Sequence, residues 1–426
     1  MRTLIKNAEI FTLNSKDEII RGGFVGVDGD KICYVGAQKP MEKAEKEIDA
    51  EGGVLLPGFV NAHTHLPMSL LRGAGEDLAL QDWLSKKIFP LEAKLTDKMV
   101  YYGALLSLIE MIKSGTTSIY DMYMFSDQVC AAAQISGIRG IIAANVAGQT
   151  LKDAAPLLEQ AQEFCKRPQK SDRIKAGYAP HAEYSTGTEV LERLIELAKK
   201  DGVPLHIHVS ETHLEHEECK MRHGGLTPIE LLYKLGAFDV KVNAAHCLYI
   251  EKKDMDILAH KGAVAVPCPN SNLKLASGIA PVLDMLDCGV NVALGTDSAA
   301  SNNRLDMLDE MQLNAKLQKM KYSRPQAMSI MQSLKLASKG GAYAIGADAG
   351  EIAKGKLADI IILDTKSTRF LPKQNLESHL LYSALGSDVK MTMVGGDILY
   401  SNGKIQFADE REIRIKFEEC AKELYA

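Results

Sequence analysis

The sequence predicts an α/β protein: a (β/α)8 TIM barrel carrying a small β-sandwich domain built from both ends of the chain. Three observations predict it. Eight short apolar runs between about residues 57 and 350 each precede helix-like sequence. Histidines and carboxylates collect at the C-terminal ends of those runs, where a parallel barrel places its functional side chains. Finally, both termini carry alternating apolar and polar residues broken by turn signals, the pattern of short antiparallel strands.

The 426 residues hold 50 Lys and Arg against 55 Asp and Glu, a net charge of −5, with 46% apolar and 25% charged residues. This ordinary balance excludes disorder and a polybasic nucleic-acid binder. No stretch approaches the roughly 18 uninterrupted apolar residues of a membrane span. Lys6, Glu9 and Lys16 interrupt the N-terminal apolar runs and leave no signal-peptide core, so a cytoplasmic location is expected. The eight cysteines lack any Cys-x-x-Cys pair and are expected to be reduced.

The N-terminal runs LIKNAEIFTL, IIRGGFVGVDGDKICYVGA and EIDAEGGVLLPG read as strands, with Asp28-Gly29 marking a hairpin. The same texture returns in KGKLADIIILD, KMTMVGGDILYSNGKI and REIRIKFEECA, so residues 1–57 and 350–426 are assigned to one composite β domain, and 58–349 to the barrel. The barrel strands are placed at 59–65, 117–123, 140–146, 174–181, 204–211, 242–247, 263–270 and 291–298. Their nearly continuous apolar character is that of strands covered on both faces. Between them, segments such as TDKMVYYGALLSLIEMIKSG and TEVLERLIELAKKDG carry apolar residues three and four apart.

His63 and His65 close the first barrel strand, His181 the fourth, His208 and Glu211 the fifth, His246 the sixth and Asp297 the eighth. His-x-His puts both imidazoles on one side of a strand, because side-chain direction repeats every two residues. Three imidazoles and a carboxylate suit a divalent metal such as Zn²⁺, with Fe²⁺ and Mn²⁺ also accepting such ligands. His206 shares the facing of His208 but sits deeper and is read as barrel filling. His213, His216 and His223 fall in the charged stretch HLEHEECKMRH and read as a solvated face.

The run LPGFVNAHTHLPMSLLRGAGEDLALQDWL, followed in order by HIHVSET, AAHC, CPNSNLKLASG and GTDSAASNN, resembles the amidohydrolase superfamily over nearly the whole chain. Within it the sequence is similar to the cytosine-deaminase-like branch that includes deaminases of 5′-methylthioadenosine and S-adenosylhomocysteine. The resemblance implies that His63, His65, His208 and Asp297 are metal ligands. It makes Glu211 a proton shuttle, His246 a partner of the nucleophilic hydroxide, and Asp297 the carrier of the remaining proton to departing ammonia. Trp83 becomes a lid over the 5′ substituent, Glu92 the acceptor for the ribose hydroxyls, and His181, Glu211 and Ser301 further substrate contacts. Binuclear relatives bridge two ions with a carboxylated lysine at the end of strand 4, but here that strand ends Tyr178-Ala179-Pro180-His181, so one metal is expected.

The implied reaction is hydrolytic deamination of 5′-substituted adenosines to the inosine analogue and ammonia. A related hydrolase acting on guanine, cytosine or a triazine is the alternative, and a non-catalytic scaffold is disfavoured because no ligand position is lost. One departure bears on the substrate. Relatives that grip the carboxylate of S-adenosylhomocysteine present arginines around the third strand's loop, whereas IIAANVAGQTLKD has Ala144 there, and Lys152 as its only nearby cation. Neutral 5′ substituents are therefore expected to be preferred. A small nucleoside is the expected partner, and the oligomeric state is left open, a homo-oligomer being one outcome.

Overall fold

The computed structural model describes residues 1–426. Five strands open the chain: β1 (Thr3–Phe11), β2 (Ile19–Asp28), β3 (Lys31–Gly36), β4 (Lys46–Asp49) and β5 (Val54–Pro57). Eight parallel strands follow: β6 (Phe59–Thr64), β7 (Thr116–Tyr123), β8 (Arg139–Val146), β9 (Ile174–Pro180), β10 (Leu205–Val209), β11 (Val242–His246), β12 (Val264–Val266) and β13 (Asn291–Val292). The chain then returns through β14 (Ile360–Leu363), β15 (Val389–Val394), β16 (Asp397–Ser401) and β17 (Lys404–Ile405). No helix is long and apolar enough to cross a membrane, and all eight cysteines are free thiols.

The strands β6 to β13 lie side by side in sequence order. Backbone bonds close the ring between its first and last members, Ala62 N–H donating to the Leu294 carbonyl (2.9 Å) and Asp297 N–H to that of His63 (3.0 Å). Gly295 permits this approach, since a Cβ there would lie 2.8 Å from both the Cβ and the carbonyl oxygen of His63. Buried polar side chains stitch the same seam. Asn61 donates to the Thr296 hydroxyl (2.7 Å) and accepts from the Thr296 N–H (3.0 Å), so neither amide atom is left unpaired in the core.

Several predicted strands are longer than those observed. The seventh stops at Val266 because Pro267 and Pro269 lack the N–H a ladder needs. The eighth is regular only over Asn291–Val292 and continues to the site as irregular extended chain. The helices sit outside the ring. In Thr188–Asp201, Val190, Leu191, Leu194, Ile195, Leu197 and Ala198 are buried, a stripe at helical spacing.

The terminal strands form one continuous sheet in the order β17-β16-β15-β14-β5-β1-β2-β3, with β4 added beside β1. The expected sandwich is this single sheet folded over. The β2–β3 hairpin meets the segment before β14 through Ile32 N–H to the Lys356 carbonyl (2.9 Å) and Ala358 N–H to that of Asp30 (2.8 Å). Ile5, Ile10, Val25, Ile32, Leu55, Ile360, Ile362 and Met393 fill the space so enclosed.

The segment REIRIKFEECA, read as strand-like, is instead part of the helix Glu410–Leu424, capped by Asp409, which accepts from Arg411 N–H (2.8 Å). Its buried residues Ile413, Cys420 and Leu424, with Phe417 partly buried, recur at three- and four-residue intervals. It packs on the barrel helix Asp97–Lys113, joined by Lys113 to Glu410 at 3.1 Å. A second link couples the barrel to the terminal sheet: Arg139 on β8 makes a forked pair with Asp359 at 2.7 and 3.1 Å.

Candidate active site

The strand ends bring four donor atoms together. His63 Nε2 and His65 Nε2 lie 3.5 and 3.3 Å from Asp297 Oδ1, and His208 Nε2 lies 3.3 Å from His65 Nε2. Four ligands on metal bonds of about 2.0–2.1 Å stand roughly 3.3 Å apart at the corners of a tetrahedron, so the spacing fits one divalent ion. The other ring nitrogens are engaged elsewhere. His65 Nδ1 donates to the Met122 carbonyl, His208 Nδ1 to the His181 carbonyl (2.6 Å), and His63 Nδ1 faces His206 Nε2 at 2.8 Å. Because a carbonyl can only accept, the His65 and His208 rings are thereby oriented with Nε2 as a lone pair. His63 Nε2 is fully buried without a hydrogen-bond partner, which is costly unless an electrophile meets it.

Burial holds the His63 and His208 imidazoles below their ordinary pKa, in the neutral form a ligand needs. Burial alone would raise the Asp297 carboxyl, but His63 and His65 hold it well below the usual carboxylate range. Its second oxygen accepts from Ser271 Oγ (2.6 Å) and Ser301 Oγ (2.8 Å), leaving Oδ1 for the donor set.

The backbone aims these groups by unusual means. Ser210, His246, Cys247 and Asp297 have φ of +49°, +69°, +51° and +58°. Left-handed conformations in non-glycine residues cost on the order of 1–3 kcal/mol each and cluster where side-chain direction matters more than stability. Glu215 supports one such turn, its carboxylate accepting from the N–H groups of Ser210 (2.9 Å) and Glu211 (2.8 Å).

Glu211 and His246 face each other, Oε2 to Nε2, at 3.6 Å. Burial, together with the charges of Asp297 and Glu215, pushes the Glu211 carboxyl well above its ordinary range. Burial lowers His246 to about 3 and His181 to about 4, so both rings are neutral. His181 Nδ1 is 2.6 Å from the Ser185 hydroxyl.

These groups form the floor of a cavity of about 510 Å³, within the range of small-molecule sites. Trp83, Leu84, Ile88 and Phe89 form an apolar wall, and Glu92 lines the same space. The Trp83 indole N–H donates to the Ala74 carbonyl (3.0 Å), which fixes the ring. Glu92 accepts from the Tyr123 hydroxyl at 2.7 Å, and burial raises its carboxyl pKa. Neither lysine nor arginine lines the cavity; Lys152 is exposed on the helix Leu151–Lys166.

Of the expected site residues, His65, Trp83, Glu92, His181, His208, Glu211, His246 and Asp297 all line this cavity, and His63 lies directly beneath. Ser301 does not line it. In place of the expected ring contact, Ser301 is buried behind Asp297, and Ser298 forms the wall. His206 is buried as expected but is also the partner of His63. The solvated-face reading fails for His216, buried with Nδ1 3.2 Å from Ser210 Oγ, and for His223, whose Nε2 lies 2.8 Å from Glu183 Oε1. Glu183, Cys219 and His223 cluster closely, yet Arg222 already neutralises Glu183 through both carboxylate oxygens. Asn272, Ser271, Tyr123 and Glu215 were not foreseen. The first two sit in CPNSN, where the motif was visible but the partners of each side chain were not.

The Amidohydrolase family profile matches residues 54–399. The chain is 41% identical, over 99% of its own length and 99% of the relative's, to the 5-methylthioadenosine/S-adenosylhomocysteine deaminase of Acetivibrio thermocellus. It is likewise 41% identical to the 5′-deoxyadenosine deaminase of Methanosarcina mazei, covering 99% of this chain and 98% of that one. Among solved structures, an adenosine deaminase from Xanthomonas campestris with bound zinc superposes with a TM-score of 0.94 at 29% identity, covering 100% of this chain and 98% of the other.

Proposed function

The chain belongs to the Amidohydrolase family, and on that premise we propose that it is a metal-dependent deaminase of 5′-substituted adenosines, yielding the inosine analogue and ammonia. The observation that carries this reading is the union, in one cavity, of a four-donor metal set with an apolar wall and a buried carboxyl suited to a nucleoside. The names of its relatives, a 5-methylthioadenosine/S-adenosylhomocysteine deaminase and 5′-deoxyadenosine deaminases, support it.

His63, His65, His208 and Asp297 would hold one divalent ion, for which zinc is favoured by the donor set and by the zinc-bound structural relative. When bound, such an ion makes water a competent nucleophile near neutral pH. Glu211 accepts a proton from the attacking water and delivers it to ring N1, where electron density collects as C6 is attacked. Burial of Glu211 serves the delivery half of that transfer, because it pushes the carboxyl above its ordinary range and favours the protonated, donating form. The C6–N6 bond then breaks, Asp297 passing the second water proton to the departing ammonia. His181 contacts the purine. Glu92 binds the ribose hydroxyls, its carboxylate having acceptor sites left beyond the one taken by Tyr123. Trp83 covers the 5′ position.

A cavity without lysine or arginine offers no cationic partner to the carboxylate of S-adenosylhomocysteine. Neutral substrates such as 5′-methylthioadenosine, 5′-deoxyadenosine and adenosine are therefore preferred. Side-by-side kcat/KM measurements, following the absorbance change from adenine to hypoxanthine, test both claims. A clear lead for S-adenosylhomocysteine overturns the preference. Turnover of guanine, cytosine or a triazine with none of any adenosine overturns the reading itself.

A further inference from the structure

Asn272, within the short helix Pro269–Lys274, faces His246 from behind: its Nδ2 lies 2.9 Å from His246 Nδ1. The orientation of the Asn272 amide follows from its other contact. Its Oδ1 accepts the backbone N–H of Cys268 at 3.2 Å, and because a backbone N–H can only donate, the oxygen must lie on that side. The amide NH2 therefore faces His246, and an NH2 can only donate as well, so His246 Nδ1 is an acceptor. A neutral imidazole carries one proton, and here that leaves Nε2 to hold it. Both residues are buried, His246 being 1% and Asn272 3% exposed, so water does not compete for the contact.

We infer that Asn272 is a positioning residue that holds His246 as the Nε2–H tautomer, making His246 a hydrogen-bond donor toward the reacting centre and leaving Glu211, not His246, to take the first proton from water. The inference rests on the deaminase reading for its catalytic consequence, but the tautomer follows from contacts alone. His246 Nε2 is the atom that faces Glu211 Oε2 at 3.6 Å. Once protonated, it has no lone pair with which to take a proton from water. It can instead donate to the oxygen that attacks C6 and stabilise the negative charge developing around that carbon, the role of a preorganised donor. This divides the labour between two side chains that either could otherwise perform.

The test is long-range ¹H–¹⁵N correlation on the holoenzyme labelled with [¹⁵N]histidine, the His246 signals being assigned by their loss in His246→Gln. Wild-type His246 is expected to be protonated on Nε2 and bare on Nδ1. In Asn272→Asp, an isosteric change that preserves the acceptor for Cys268, the carboxylate faces Nδ1 and the tautomer is expected to flip. The kcat on 5′-deoxyadenosine then falls about 10- to 100-fold, as for other residues that orient a site's ligands, while KM and metal content stay within about threefold. A wild-type His246 protonated on Nδ1 overturns the inference, as does an N272D enzyme whose tautomer or turnover remains that of wild type. The wild-type spectrum needs no variant, so misfolding of N272D does not remove the test. If wild type turns over no adenosine, the deaminase reading fails while the tautomer still decides the assignment to Asn272.

Discussion

His206 Nε2 lies 2.8 Å from His63 Nδ1, and both rings are fully buried. On the proposed role of His63 Nε2 as a metal donor, its proton would sit on Nδ1 and His206 would accept it. A histidine at a barrel-filling position would thus set the tautomer of a proposed ligand.

His206→Leu should therefore keep the fold but weaken metal binding by about 10- to 100-fold, the usual cost of removing a ligand's supporting partner. His206→Gln, whose amide oxygen can accept the same proton, should recover most of it. Competition with a chromophoric chelator measures both, and unchanged affinity in the leucine variant would contradict the role.

Glu211→Gln removes the proton carrier while preserving shape. The expectation is a kcat reduced by about 10²- to 10⁴-fold, with metal content and KM little changed. Near-normal turnover in that variant would take Glu211 out of the mechanism.

Glu92 gives a pH signature. Burial raises its carboxyl above the ordinary value of 4.5, against the opposing effect of the Tyr123 hydroxyl. Below the raised pKa the carboxyl is neutral and a poorer acceptor for ribose, so KM for 5′-deoxyadenosine should climb as pH is lowered toward it. Glu92→Gln should show a KM raised by about 10-fold, the cost of roughly one good hydrogen bond, and flat over the same range. A wild-type KM that does not change with acidification would argue against Glu92 binding the sugar.

Arg139 and Asp359 couple the barrel to the terminal sheet, and the Asp359 side chain is only 2% exposed. Arg139→Met leaves that carboxylate with the Gly395 N–H (2.8 Å) as its remaining partner. Breaking a buried pair from one side costs about 3–5 kcal/mol, which denaturant titration would register. Replacing Asp359 by Asn in the same background should restore part of the loss.

The sequence by itself determined the barrel and a separate terminal β domain, and it placed the candidate metal donors at strand ends, because each rests on local periodicity or on a residue's place along a strand. That His63, His65, His208 and Asp297 would converge was legible for that reason. The helix Glu410–Leu424 was misread because its β-like run, IRIKF, is short, and only the wider spacing of Ile413, Phe417, Cys420 and Leu424 marks a helical face. Tertiary structure alone decided which atoms meet. Asn272 reaches His246 and Ser301 reaches Asp297 rather than the cavity because neighbouring strand ends and their loops converge at one mouth. Hydrogen-bond partners at such a mouth depend on ångström-scale approach between distant segments, and on positive-φ turns at Ser210, His246 and Asp297 that residue type alone does not announce.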